Sequence, residues 1–140
     1  MKILLAVDGS PYTKKMLAYL TTHPELFGTH NEFTVFTVVF PLPPRARAAV
    51  GAEVAQGYYD EESEKVTAPI VSFLKHHNMS LKVEHMVGQP GEAIAKAAED
   101  GNYDLLMMGS HGHGALGNLV MGSVATRVLA HCKVPVLIVR

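Results

Sequence analysis

Short apolar runs and helix-length amphipathic segments alternate along this 140-residue chain, and that alternation restricts its fold more than any other feature. Ile3 to Val7 is a continuous apolar run, the pattern of a strand buried on both faces. It breaks at Asp8-Gly9-Ser10-Pro11, where Ser10 suits an N-cap and Pro11 the first helical position. Met16, Leu17 and Leu20 then form an apolar stripe that fades by His23-Pro24. Phe33 to Phe40, rich in β-branched and aromatic residues, reads as a second strand ended by Pro41, Pro43 and Pro44. The stretch from Pro41 to about Tyr59 has no clear period; it is expected to be a surface loop with a frayed helical turn, with a flap over a ligand site as the alternative. From Asp60 to His77, Val66, Ile70, Phe73, Leu74 and His77 have helical spacing, and Pro69 is expected to kink or divide that helix. Leu81 to Val87 is a third strand, and a helix carrying Ile94, Ala95 and Ala98 closes at Asp100-Gly101-Asn102. A fourth strand over Leu105 to Met108, a helix from Ser123 to about His131 and a strand over Val134 to Val139 complete the order. The prediction is a single α/β domain over residues 1–140, a five-stranded, mostly parallel open sheet with helices on both faces.

Charge and composition exclude several classes. Hydrophobic residues make up 48% and charged residues 18%, which excludes a disordered chain. A net charge of −1 gives no support to nucleic-acid binding through phosphate contacts. No apolar run approaches the roughly 18 residues of a membrane span, and Asp8 interrupts the first apolar run too early for a signal peptide. The single cysteine, Cys132, excludes an intramolecular disulfide and a multi-cysteine metal knuckle. The expectation is a soluble cytoplasmic protein without nucleic-acid or membrane partners.

Five of the twelve glycines, Gly109, Gly112, Gly114, Gly117 and Gly122, fall in one loop just past the fourth strand. In open α/β sheets the carboxyl ends of the strands, near a reversal of strand order, are where ligands bind. Glycines there let several backbone N–H groups converge on a phosphate, and Ser123 adds a hydroxyl at a helix N-terminus. Gly112-His113-Gly114-Ala115-Leu116-Gly117 is a literal G-x-G-x-x-G, but the dinucleotide fingerprint belongs after the first strand and needs an acid about 20 residues on. No Asp or Glu follows Asp104, so that reading is rejected. A phosphate-binding G-K-[ST] sequence is absent, and Met108 occupies the place where a nucleophile elbow at Ser110 needs glycine.

The longer spacing Gly109-x2-Gly112-x9-Gly122-Ser123 resembles the nucleotide-binding pattern of the universal stress protein family, in its ATP-binding branch. The opening Ile3-Leu4-Leu5-Ala6-Val7-Asp8-Gly9-Ser10, Gly88-x-Pro90 before Ile94, Tyr103-Asp104-Leu105 and the ending Val134-Pro135-Val136-Leu137-Ile138-Val139 are similar to that family too. The resemblance covers nearly the whole chain and is weakest from Pro41 to Tyr59. It implies a Rossmann-like fold of the adenine nucleotide alpha hydrolase-like type and a small dimeric protein of stress response. Asp8 then matches the position that hydrogen-bonds the ribose, Ala6 and Val7 line the adenosine pocket, and the backbone of Val38 reads adenine. Met108, Gly109, His111 and Gly112 would wrap the ribose and first phosphates, and Gly122, Ser123 and Val124 the outer ones. Some relatives carry a hydroxyl where this chain has Ala125; Thr126 lies one residue on, about 100° around the helix. The resemblance also implies a homodimer through the final strand, whose apolar edge would otherwise be an aggregation hazard.

Electrostatics narrows the expected chemistry. Between Gly109 and Ser123 there is no Lys or Arg, so ATP (or ADP or AMP) would be held by backbone N–H groups and Ser123, with its charge neutralised by Mg2+ bound through the phosphates rather than by side chains. Arg127, one turn past Ser123, is read chiefly as a surface or dimer charge. The same lack of cationic clamps makes slow ATP hydrolysis or phosphoryl transfer the alternative and nucleotide holding the leading expectation, with no catalytic residue assigned. Up to Asp104 the chain has nine basic and thirteen acidic residues, and after it three basic and none acidic, a net −4 against +3. The loop segment is therefore free of carboxylates that would repel phosphate. None of the eight histidines has metal-site spacing: His76-His77 and His131-Cys132 are adjacent on helices, and His111-x-His113 has no further ligand nearby. The seven methionines read as core filler.

Overall fold

The computed structural model describes residues 1–114 and 118–140. Its elements are β1 (Lys2–Ala6), α1 (Pro11–Thr21), α2 (Pro24–Phe27), β2 (Glu32–Val39), α3 (Pro44–His76), β3 (Leu81–Val87), α4 (Pro90–Asp100), β4 (Leu105–Gly109), α5 (Ser123–His131) and β5 (Val136–Val139). The strands form one sheet in the order β3-β2-β1-β4-β5, and all four pairings are parallel. Strand order reverses between β1 and β4, which creates a crevice outside their carboxyl ends.

Alternation of side chains divides the core into two layers. Ile3, Leu5 and Met107 face α1 and α3, where Met16, Leu17, Leu20, Ile70 and Leu74 meet them. Leu4, Ala6, Leu106 and Met108 face α4 and α5, where Ile94, Ala98, Ala125 and Val128 pack. Because β1 and β4 are covered on both faces they read as continuous apolar runs, as the sequence indicates. α1 begins as expected, with the Ser10 hydroxyl accepting a hydrogen bond from Thr13 N and Pro11 at the first position. Gly9 turns the chain with φ of +75°, a conformation that favours glycine.

One expectation is corrected and another is narrowed. The region after β2 is helical: α3 begins at Pro44, and its only non-helical residue is Gly51, with φ of +83°. Almost every residue from 44 to 54 is exposed, so this part of the helix has no apolar stripe for a periodicity to reveal. Nor does Pro69 divide α3. Pro69 and Lys65, whose carbonyl loses its N–H partner, are both exposed, so water can satisfy the freed carbonyl. The inward side of the helix is unbroken, with Ala55, Tyr59, Ser63, Thr67, Ile70 and Leu74 buried. Among the described residues no helix is long and apolar enough to cross a membrane.

Candidate functional site

The crevice at the strand-order reversal holds a cavity of about 380 Å3. β1 supplies Ala6 and, just beyond it, Val7 and Asp8; β2 supplies Val38; β4 supplies Met108 and Gly109. The glycine loop adds His111 and Gly112, and the start of α5 adds Gly122, Ser123 and Val124. The fold thus gathers on one wall all eleven residues singled out from the sequence. It adds others that had no distinct signal, among them Thr13, Phe36, Phe40 and Leu119. Pro90 and Ile94 also line it, and both belong to the Gly88-x-Pro90 segment noted above.

Asp8 is held rigidly. Its Oδ1 accepts hydrogen bonds from Ser10 N and Thr13 Oγ1, both at 2.9 Å, while its own N–H donates to Thr13 Oγ1 at 3.1 Å. Among the described residues Oδ2 has no hydrogen-bond donor, and it lies against Gly112, where a Cβ would stand only 2.8 Å away. The carboxylate therefore keeps one oxygen for the protein and presents the other to the cavity wall.

The three glycines of the motif share one physical cause. A Cβ at Gly109 would fall 2.7 Å from Tyr12 Cβ, and one at Gly122 would fall 2.9 Å from Ser110 O. Each glycine lets a second segment approach more closely than a side chain would permit: α1 at Gly109, Asp8 at Gly112 and the loop's return at Gly122. Gly114 has open space around it, and Ala115, Leu116 and Gly117 lie outside the described residues.

Two amide positions have distinct uses. Gly122 N donates to Ser110 O at 2.7 Å, so this N–H is spent on closing the loop. No side chain caps α5, and Ser123, Val124 and Ala125, whose N–H groups have no intrahelical acceptor, all line the cavity. At the opposite side, β2 runs past the end of β1. Pairing stops at Ala6 with Phe36, and Val7 N donates to Phe36 O. Backbone groups alternate between neighbours in a parallel sheet, so Val38 presents its N–H and C=O to the side where β1 has ended.

His111 is committed to the loop. Its Nδ1 lies 2.8 Å from Ser110 Oγ and its Nε2 lies 2.7 Å from Leu119 O, and Tyr12 stacks against the ring at 4.8 Å. His113 Nε2 lies 2.7 Å from Asp8 O and ties the loop to the end of β1. No Lys or Arg lines the cavity among the described residues, and Asp8 is its one acid. Arg127 is turned to Glu92, with Nη1 3.0 Å from Oε1, and the Thr126 hydroxyl donates back to Gly122 O at 2.9 Å. Thr126 thus does not replace the hydroxyl that Ala125 lacks. Among the described residues no group of three His, Cys, Asp or Glu side chains is placed to hold a metal.

A parallel sheet with its cavity at the strand-order reversal, walled by a glycine loop and a helix N-terminus, defines a nucleotide-type α/β fold. The family model described as the universal stress protein family matches residues 1–140, and the chain belongs to that family. A universal stress protein of Thermus aquaticus is 32% identical over 138 residues, covering 99% of this chain and 97% of the relative. One from Synechocystis sp. is also 32% identical, over 148 residues, but this chain spans only 42% of that relative's length. Among solved structures, the Lactobacillus plantarum universal stress protein UspA superposes with a TM-score of 0.80 at 20% identity, covering 100% of this chain and 97% of that one. Structural neighbours include an Arabidopsis thaliana family member with AMP bound, an Archaeoglobus fulgidus one in complex with dAMP and one in complex with cAMP, with TM-scores of 0.66, 0.67 and 0.62. These share the α/β fold of this chain.

Proposed function

We propose that the cavity holds an adenine mononucleotide, ATP foremost, with the base toward β2 and the phosphates toward α5. The observation that carries this reading is the paired exposure of polar groups: Asp8 Oδ2 at the centre and an unpaired Val38 backbone at one end. A carboxylate oxygen accepts hydrogen bonds from ribose hydroxyls, and such charge-assisted bonds are among the stronger ones. The Val38 N–H and C=O match the ring nitrogen and amino group of adenine; guanine presents the opposite donor and acceptor order. Ala6, Val7 and Met108 supply apolar contact to the nucleoside, and Gly109, His111 and Gly112 form the wall beside the ribose and first phosphates.

The phosphates meet the uncapped N–H groups of Ser123 and Val124 and the Ser123 hydroxyl, with Gly122 allowing the approach. Mg2+ would neutralise phosphate charge while bound to the phosphates and water, since the chain offers it no cluster of ligands among the described residues. With no cationic side chain on the wall to stabilise a transferring phosphoryl group, the site is built to hold nucleotide rather than to turn it over. ATP and its exchange for ADP or AMP would then set the state of a cytoplasmic stress-response protein toward a partner protein.

Assembly enters through β5. Val136, Leu137, Ile138 and Val139 are partly exposed and uncharged, on an edge strand of the sheet. Pairing of this edge with its symmetry mate in a homodimer would cover it. The functional reading is tested by denaturing the freshly purified protein and identifying what is released. An adenine nucleotide, close to one per chain after loading with ATP and Mg2+, supports it; no nucleotide before or after loading overturns it.

A further inference from the structure

Phe40 stands apart from the other apolar residues of the cavity wall. It is 63% exposed although it lines the cavity, and it belongs to none of the three apolar clusters. A free-hanging aromatic of this kind would ordinarily be mobile, but its mounting is rigid. On one side Val39 O accepts a hydrogen bond from Gly88 N at 3.0 Å. On the other, Leu42 N donates to Tyr59 Oη at 3.0 Å, and Val39, Leu42, Ala55 and Tyr59 pack together. Between these anchors the sequence is Phe40-Pro41-Leu42-Pro43-Pro44, in which each proline fixes its own φ and restricts the residue before it. The backbone that carries this unpacked aromatic side chain is thus held in a fixed place at the rim.

Strand alternation gives the direction. Phe36 and Val38 lie on the face of β2 that meets α4, Phe40 follows two residues on, just past the end of the strand at Val39, and all three line the cavity with Ile94. Val38 is the residue whose backbone faces the place proposed for the base. Among the described residues the other large, exposed apolar side chain of the wall, Leu119, lies in the glycine loop, on the side proposed for the phosphates.

We propose that Phe40 is the outer stacking platform for the nucleotide base, so that the base is read edge-on by the Val38 backbone and covered on its face by the Phe40 ring. This rests on the nucleotide reading above. It divides the recognition between two neighbours: Val38 selects adenine, and Phe40 supplies affinity that any base could use, because every base has a π-face. Because the backbone is already anchored, only the rotation of the Phe40 side chain is given up in making that contact.

The test compares wild type, Phe40→Ala and Phe40→Trp by calorimetry with ATP and Mg2+. Phe40→Ala should bind about 5- to 100-fold more weakly, the range for loss of one base–aromatic stack, and should melt with the wild type because the ring is unpacked. Phe40→Trp should restore affinity. It also puts the only tryptophan into a chain that has none, and its emission should fall as ATP saturates the site. Unchanged affinity in Phe40→Ala, or tryptophan emission unmoved at saturating ATP, overturns this assignment while the nucleotide reading stands. Wild type that binds no nucleotide overturns both.

Discussion

The two ends of the sheet handle their polar groups in opposite ways. At the amino end the protein satisfies itself. The N-terminal ammonium donates to Asn31 Oδ1 at 2.9 Å, Lys2 N donates to Asp104 Oδ2 at 2.7 Å, and Asp104 N donates to Lys2 O at 2.8 Å. Asn31, only 6% exposed, uses its amide to donate to the carbonyls of Leu26 and Gly28. At the carboxyl end the protein stops short: one oxygen of Asp8, the backbone of Val38 and the first turn of α5 are left facing a cavity. A fold dominated by buried apolar strands can leave such groups open only where solvent or a ligand reaches them. On the proposed function, the difference separates residues that hold the fold from residues that would hold a ligand.

The largest expected effect breaks the open end. Gly112→Val puts a Cβ about 2.8 Å from Asp8 Oδ2, so the loop must move off the rigidly held carboxylate, and it should weaken ATP binding by about 100-fold, or about 2.7 kcal/mol, with a smaller loss of melting temperature than a change at the amino end. Calorimetry and a thermal melt on the same sample check both halves. Asn31→Ala should do the reverse. Loss of buried hydrogen bonds should cost about 1–3 kcal/mol of stability and lower the melting temperature by several degrees, while the folded protein binds ATP as the wild type does. A variant that lost stability and affinity together at both ends would erase the distinction.

The free side of the sheet sharpens it further. Leu106 N donates to Pro135 O and Ser110 N to Val139 O, so Pro135 and Val139 face β4 while Val136 and Ile138 face outward. Ile138→Pro removes an outward N–H without taking a bond from the β4 ladder. Sedimentation should show dimer affinity at least about tenfold weaker, with the chain still folded. The smallest effect is at Cys132, beyond the end of α5. Burial pushes its thiol above the ordinary value, with a backbone hydrogen bond at Val134 acting against it and the nearby Glu99 charge in the same direction. The thiol therefore stays protonated in the native chain where an unfolded one ionises. Alkylation near pH 8 should be slower for native than for denatured protein. Its small contribution to stability is complete below the ordinary thiol range and fades as pH rises through the raised value.

The legibility of the molecule follows the same division. Gly109, Gly112 and Gly122 were readable because each marks a close approach that a side chain forbids, and such constraints fix spacing along the chain. Ile3 to Val7 and Leu105 to Met108 were readable as strands because burial on both faces demands continuous apolar residues. Residues 44 to 54 were not, because a helix that buries almost nothing leaves no period in its sequence. Phe40 reads in the sequence as the end of a strand and not as part of a site. Its place on the rim depends on how β2 outruns β1, which no local pattern encodes.

The central claim, that the open end holds an adenine nucleotide chiefly by backbone groups and one carboxylate oxygen, is tested most directly by calorimetry of nucleotide-free wild type with ATP and with GTP in the presence of Mg2+. One ATP per chain is expected, with GTP at least about tenfold weaker, since the Val38 backbone matches only the adenine edge. Absence of heat with ATP, or equal affinity for the two nucleotides, would contradict it.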